Sequence, residues 1–359
     1  VETLGQSLGD DFARAAFVSG YPMQRGMTGL DRGFEHYDDD FGSDWQRGAE
    51  QTFRRAQSWL EQRGSDRRPI FLFFHLYDPH HPYDAPEEFA ERFLPADQKA
   101  FRFPMEKSTY QRFWDGDATS AEFEEYVARY DGEILHADHY VGRLFDALKR
   151  LGHWEQALIL VISDHGETLG ERPAPFTHGA RVYDEQIRVP LILRLPGDRH
   201  AGSRIIEQVH HIDVAPTILD FLGIDALPMA HGRSMRSLIE APDSPVANRP
   251  VFSTALPQTW RVPEVVGEFK YDVLVSSIRT RSWKLISYPG IDGEIFQLFD
   301  LETDPGETSN LAAARERKRA ELTQSLRAWR QESGARESVP PPTLSPEEEE
   351  ALRALGYID

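Results

Sequence analysis

The 359-residue sequence contains no cysteine, which excludes disulfide bonds and thiolate metal ligands and leaves the redox compartment open. No apolar stretch approaches the ~20 residues that a membrane-spanning helix needs. The sequence opens at Val1 with neither an initiator methionine nor a signal-like apolar segment. Basic residues are fewer than acidic ones, 40 Lys and Arg against 59 Asp and Glu, which gives a formal net charge of −19. That balance argues against generic binding to nucleic acid or to an anionic membrane, so an anionic substrate would need a local cluster or a metal to attract it.

Hydrophobic residues make up 40% of the chain, which is ample for a sizeable core. The length allows one large α/β domain or a large and a small one. The composition changes near residues 241–250, where proline and aspartate gather as they do in linkers. We therefore expect a catalytic α/β domain over residues 1–240 and a C-terminal subdomain over residues 241–359.

The stretch from residue 158 to residue 197 organises the rest of the chain. The apolar, β-branched run 158–162 predicts a strand that is buried on both faces of a parallel sheet. Asp164 and His165 follow directly, and ligands of open α/β sheets collect at the carboxyl ends of strands. A helix cap followed by a turn would explain Asp164 equally well if this short motif stood alone.

A second apolar run, residues 69–77, ends in the string DPHHPY. The two prolines predict a rigid, non-helical turn that holds the side chains between them at a fixed angle. His80 is the candidate functional residue of this turn, and His81 is predicted to be a bystander. Histidines that simply face water are the alternative. His75 lies within the run and is interpreted as a core histidine.

Periodicity predicts the remaining elements. Helices are expected over residues 44–63, over 119–152 from a capping box at Thr119 and Glu122, from Asp213 to Gly223, and over 312–332. Strands are expected over residues 15–18, 203–209 and four short runs after residue 250, which would form a small antiparallel sheet.

Several strings, taken in this order, resemble the sulfatase family of the alkaline-phosphatase-like superfamily. They are DPHHPY, SDHGE, LGE, THG, YDEQIRVPLI with LPG, and DLETDPGETSNL. The resemblance implies a mainly parallel sheet sandwiched by helices, with a smaller C-terminal antiparallel sheet and one helix. It covers nearly the whole chain and is weakest over residues 95–119. It also favours a periplasmic or secreted location.

The resemblance carries site roles onto particular residues. It implies that Asp164 and His165 are metal ligands, with calcium the usual ion, and that His80 and His178 are catalytic and bind the sulfate and its leaving oxygen. Sulfatases attack with a formylglycine made from Cys or Ser followed by x-Pro-x-Arg, and this string is absent from the chain. The nucleophile and the family's paired aspartates are therefore expected upstream of Val1, and residues 1–359 alone are expected to be inactive.

Three functions remain open on this evidence. The first is a sulfuric ester hydrolase acting on an aryl or carbohydrate sulfate. The second is a phosphodiesterase or phosphoethanolamine transferase of the same superfamily, with a Thr or Ser nucleophile. The third is a non-catalytic binding relative that has kept the fold.

Overall fold

The computed structural model describes residues 2–42, 44–95, 98, 107–241, 249–255 and 274–333. Its strands are β1 (Ala13–Phe17), β2 (His36–Asp38), β3 (Ile70–Phe74), β4 (Ile159–Ile162), β5 (Leu191–Arg194), β6 (Val251–Ala255), β7 (Val275–Arg279), β8 (Trp283–Gly290) and β9 (Gly293–Asp300). Its α-helices are α1 (Leu4–Ser7), α2 (Ala49–Glu61), α3 (Glu87–Ala90), α4 (Lys107–Asp115), α5 (Ser120–Arg150), α6 (Asp184–Ile187), α7 (Val214–Leu222), α8 (Arg236–Glu240) and α9 (Glu316–Glu332). No helix of these described ranges is long and apolar enough to cross a membrane.

Strands β1 to β3, within residues 13–74, form a parallel sheet of order β2-β1-β3. Its central strand β1 is buried along its whole length, and small side chains such as Ala15 and Ala16 let neighbouring elements approach closely. Helices α2 and α5 pack together against one face, where Phe53 of α2 and Leu144 of α5 share a core with β3. Together with the antiparallel sheet described below, this confirms the predicted α/β fold class.

Strand β4 is present as predicted, but its predicted surroundings are wrong. It pairs antiparallel with β5, with Ile159 opposite Arg194 and Ile162 opposite Leu191, and its residues are only half-buried. The continuous apolar run identified a strand, whereas nothing in such a run specifies the direction of its partner. The loop after β4 turns the chain back, which makes the next apolar run its antiparallel neighbour.

Local signals placed most helices correctly. Helix α5 begins at the predicted capping box, in which the Thr119 side chain accepts from the Glu122 N–H. Helix α2 begins at Ala49, five residues later than expected, because the preceding segment instead pairs with residues near Ser19; the Arg47 N–H donates to the Ser19 carbonyl oxygen. The strand predicted over residues 203–209 is absent, and Ile206 there is 68% exposed.

The C-terminal sheet β6-β7-β8-β9 is antiparallel throughout, as predicted. Helix α9 covers it and stacks Trp329 on Phe252 with ring centroids 4.7 Å apart. The other side of the sheet shares a core with Val182 and Tyr183, which precede α6. The proposed linker falls mostly in residues 242–248, and the proline tract and acidic tail fall after residue 333, so these predictions lie outside the described residues.

A buried ionic network joins α6 to this sheet. Lys284 of β8 is fully buried, with Nζ 2.9 Å from Asp184 Oδ1 and 2.8 Å from Glu307 Oε1. Arg279 of β7 also pairs with Asp184, at 2.8 Å. Burial works to raise the pKa of Asp184, but Lys284 and Arg279 outweigh it and lower that pKa to about 2. Asp184 is thus charged in the folded protein and ties the YDE segment to the C-terminal sheet.

Replacing this buried cation should destabilise the fold strongly. We expect Lys284→Met to lower the free energy of unfolding by about 3–5 kcal/mol, because it leaves Glu307 buried without its cation. Lys318→Met is the matched control, because Lys318 lies on the partly exposed surface of α9, where it pairs with Glu321 and lies 6.0 Å from the Trp283 ring centroid, and it should cost less than about 1 kcal/mol. Urea unfolding followed by tryptophan fluorescence measures both. Equal midpoints for the two variants would contradict a stabilising role for the network.

Candidate functional site

The turn after β3 places His80 among aromatic rings. Its ring stacks on Tyr77 with centroids 4.3 Å apart, and it meets His178 edge-on at 5.1 Å. The His80 N–H donates to the Tyr77 carbonyl oxygen at 2.7 Å, which closes the turn. His81 also packs against His80, at 4.4 Å. This turn therefore brings two imidazoles, the predicted functional one and the predicted bystander, toward the segment around His178.

The segment after β4 supplies the other predicted site residues. His165 stacks on His178 with ring centroids 4.1 Å apart. Asp164 is 83% exposed, and its Oδ1 accepts from the His165 N–H at 2.9 Å. The four residues singled out in the sequence thus lie together, since His178 contacts both His80 and His165, and Asp164 is next to His165. Their chemical roles remain predictions.

Glu167 is a member of the group that sequence reasoning left out. Its Oε2 lies 3.2 Å from His178 Nδ1 and accepts from the Tyr83 hydroxyl at 3.1 Å. The Glu167 side chain is only 5% exposed. A buried carboxylate that accepts from one ring nitrogen fixes the orientation and tautomer of an imidazole. The sequence signal for Glu167 is its position directly after the string SDHG.

Backbone packing holds the loop between β4 and β5 in place. A Cβ on Gly166 would lie 2.1 Å from the Glu185 carbonyl oxygen, so only glycine fits there. Thr168 and Thr177 pair antiparallel across the loop, and the Gln186 side-chain amide donates to both of them. His178 follows Thr177, so this pairing and the hydrogen bonds of Gln186 hold its backbone in a fixed position.

Burial keeps two of the imidazoles neutral. Desolvation, followed by the nearby His81 and His178, lowers the pKa of His80 to about 2. Desolvation likewise lowers the pKa of His75, whose Nδ1 accepts from the Ser19 N–H. That contact agrees with the interpretation of His75 as a core histidine. His80 therefore carries no positive charge, and its Nδ1–H donates to the His81 carbonyl oxygen at 2.6 Å.

The predicted metal ligands do not make a calcium site by themselves. Asp164 supplies one carboxylate, and the Nδ1 of His165 already lies 2.8 Å from the Gly166 carbonyl oxygen. Calcium takes six to eight oxygen ligands, and imidazole is a poor ligand for it. Within the described residues, the group with metal-ligand spacing is instead Asp78, Glu133 and His136. Sequence reasoning did not select this group, although the pattern Glu-x-x-His in α5 could have indicated it.

The α/β fold, with imidazoles and carboxylates at the ends of its strands, agrees with the comparison with known proteins. The sulfatase family model matches residues 8–224, and the model of the N-sulphoglucosamine sulphohydrolase C-terminal region matches residues 178–332. The first match covers more than half of the chain. The chain belongs to the sulfatase family.

Curated relatives include arylsulfatase K of Bos taurus, 27% identical over 301 residues that make up 76% of this chain and 53% of the relative. The choline-sulfatase of Rhizobium meliloti is 31% identical over 269 residues, covering 70% of this chain and 48% of the relative. The multifunctional alkaline phosphatase superfamily protein PehA of Trinickia caryophylli is 28% identical over 304 residues, covering 74% and 55%. The chain spans about half the length of these curated relatives.

Solved structures share the fold at lower identity. A protein in complex with its substrate D-glucosamine-2-N,6-O-disulfate superposes with a TM-score of 0.71 at 20% identity, over 94% of this chain and 83% of that one. The phosphonate monoester hydrolase of Silicibacter pomeroyi gives a TM-score of 0.68 at 20% identity, over 92% and 79%. These likenesses support the alkaline-phosphatase-like architecture.

Proposed function

We propose that this chain is part of a sulfuric ester hydrolase that cleaves a sulfate monoester of an aryl or carbohydrate substrate. The observation that carries the proposal is the group of His80, His165 and His178, with Asp164 beside it, in a chain of the sulfatase family. Two segments far apart in sequence contribute to it, the turn after β3 and the loop between β4 and β5. A group gathered from separate segments fits a substrate site better than a local turn does.

In this proposal His178 and His80 have different roles toward the ester. The carboxylate of Glu167 accepts from the Nδ1–H of His178 and stabilises the doubly protonated ring, and we assign its Nε2–H to the proton that the leaving oxygen takes up. His80 is neutral and buried, and its Nδ1–H donates to the His81 carbonyl oxygen at 2.6 Å, so the ring packs against the ester without donating a hydrogen bond to it. Proton transfer from His178 matters most as charge grows on the leaving oxygen during cleavage.

The nucleophile is the component that residues 1–359 do not supply. They contain no cysteine and no Ser-x-Pro-x-Arg string, so a formylglycine would have to come from sequence upstream of Val1. The remaining metal ligands are proposed to lie there as well. Asp164 and His165 alone do not fit calcium, and no step of the reaction is derived through that ion.

Phosphorus esters form the second candidate substrate class. This class is kept as an alternative because the relative PehA is named a multifunctional member of the alkaline phosphatase superfamily and a phosphonate monoester hydrolase shares the fold. A sulfate monoester, a phosphodiester and a phosphonate monoester each carry one negative charge near neutral pH, whereas a phosphate monoester carries two. A site that includes the neutral imidazole of His80, in a chain of net charge −19, is better suited to a single charge, so the phosphate monoesters are disfavoured and the singly charged phosphorus esters are the alternative to test.

The function is tested with the protein bearing its native upstream sequence, co-expressed with a formylglycine-generating enzyme. We expect kcat/KM for 4-nitrophenyl sulfate to exceed kcat/KM for bis(4-nitrophenyl) phosphate and for a phenyl phosphonate monoester. The reverse order would favour the phosphorus-ester alternative. Binding of sulfated sugars without turnover of any ester would favour the non-catalytic relative.

A further inference from the structure

A compact group of potential metal ligands lies between the turn after β3 and the middle of α5. Asp78, Glu133 and His136 each offer one ligand atom, and these atoms all lie within 4.8 Å of one another. Glu133 and His136 are three residues apart on α5, a spacing that places both side chains on the same face of the helix. Asp78 reaches this face from the turn that also carries His80.

The two carboxylates are already held in position by backbone donors. Asp78 Oδ1 accepts from the Ala49 N–H at 3.1 Å and lies 3.1 Å from His136 Nδ1. Glu133 Oε1 accepts from the Asp84 N–H at 2.7 Å. One oxygen of each carboxylate is therefore fixed, which pre-orients both groups before any ion arrives.

Burial leaves this group short of positive charge. The Asp78 side chain is 7% exposed, and its Oδ2 is buried with no hydrogen-bond partner among the described residues. Glu133 and His136 are buried as well, and His136 is the one basic side chain that pairs with these carboxylates in the described part of the chain. Burial disfavours negative charge on both carboxyl groups beside a single imidazole, and a bound cation would offset that cost. An orphaned, buried Oδ2 at the same point indicates where that cation would bind.

We propose that Asp78, Glu133 and His136 bind a divalent transition-metal ion, with zinc the ion that the donor set fits best. Three protein ligands of mixed imidazole and carboxylate type, plus one water, complete a tetrahedral zinc shell. Calcium is disfavoured because it needs six to eight oxygens. This site is separate from Asp164 and His165 and does not depend on the proposed sulfatase activity.

The ion would fix the turn that presents His80. Asp78 is two residues before His80, and α5 is the long helix packed against the parallel sheet. A metal bound by both elements ties the turn to the body of the domain. Its contribution is therefore to position His80, while the ion itself stays away from the ester.

Zinc binding is measured directly on the chelator-treated protein by titration calorimetry, with the absorption of bound cobalt(II) as a report of ligand geometry. We expect one zinc ion per chain and much weaker binding of calcium. Glu133→Gln and His136→Phe should each weaken zinc binding by about 100-fold or more. His139→Phe is the matched control, because His139 lies one turn along α5, contacts the same Phe89 and Tyr140 rings, and is outside the cluster. It should bind zinc as the unmodified protein does.

The imidazoles of the candidate active site are the competing source of zinc binding. Zinc held by His80, His165 and His178 would persist in His136→Phe and be lost in His178→Ala, and that pattern would overturn the proposal. Absence of zinc binding to the unmodified protein would also overturn it. Thermal unfolding guards against misfolded variants: zinc should raise the Tm of the unmodified protein and of His139→Phe, and it should leave the Tm of Glu133→Gln unchanged.

Discussion

Residues 1–359, expressed without upstream sequence, should not turn over sulfate esters, whereas the same residues preceded by their native upstream sequence should. Covalent catalysis needs an activated nucleophile. The chain contains no cysteine and no serine in the formylglycine motif. In the proposed mechanism the histidines and Asp164 bind the ester and stabilise charge, and none of them is the group that attacks sulfur. The expected difference is therefore complete loss of turnover rather than a reduced rate.

The comparison uses both proteins co-expressed with a formylglycine-generating enzyme and assayed on 4-nitrophenyl sulfate. Mass spectrometry of the longer protein identifies the modified residue, and its replacement by alanine is the control for loss of the nucleophile alone. Similar metal-dependent turnover by the shorter chain would contradict this account, since a nucleophile would then have to lie within residues 1–359.

Fold class was predictable because the chain's local signals agree with its tertiary structure. Apolar runs marked β1, β3, β4 and the strands of the C-terminal sheet, and the capping box at Thr119 marked the start of α5. The errors arose where a contact distant in sequence decided the outcome. The direction of β4 is set by its pairing with β5, and the late start of α2 is set by the pairing of Arg47 with Ser19. Neither contact leaves a periodic pattern.

The candidate site was predictable to a different degree. His80, Asp164, His165 and His178 were selected by resemblance to a family, and the structure places them together. Glu167 was not selected, because a carboxylate that orients an imidazole is distinguished from a surface carboxylate only by its burial and its partner.

The cluster of Asp78, Glu133 and His136 was hidden for a related reason. Glu133 and His136 read as ordinary positions of an amphipathic helix, and only the packing of α5 against the turn after β3 brings Asp78 to them. Burial, with the charge of Asp78 close by, raises the pKa of Glu133 to about 8. The sequence alone does not predict that environment, because it depends on which face of α5 packs against the turn after β3.

His178→Ala should lower kcat on an aryl sulfate by about 10²–10⁴-fold in the protein with its native upstream sequence. His178 is the residue that joins the two halves of the site, since it contacts His80 at 5.1 Å and His165 at 4.1 Å. In the proposed mechanism, Glu167 accepts from its Nδ1–H and stabilises the doubly protonated ring, whose Nε2–H protonates the leaving oxygen. Alanine removes that donor and leaves the fold largely intact, because the Thr168–Thr177 pairing holds the loop without it.

Glu167→Gln separates catalysis by His178 from mere packing. The amide keeps the size of the side chain but removes the negative charge that stabilises the doubly protonated His178, so the proton donor is less available and kcat falls while KM changes little. His139→Ala, on the exposed side of α5, is the remote control and should leave kcat unchanged.

Stopped assays with substrates of good and poor leaving groups test proton donation by His178 directly. A proton donor matters most for the poor leaving group, so His178→Ala should lose more activity on an alkyl sulfate than on 4-nitrophenyl sulfate. An equal and small loss on both would assign His178 a structural role and leave the protonation of the leaving oxygen to another residue.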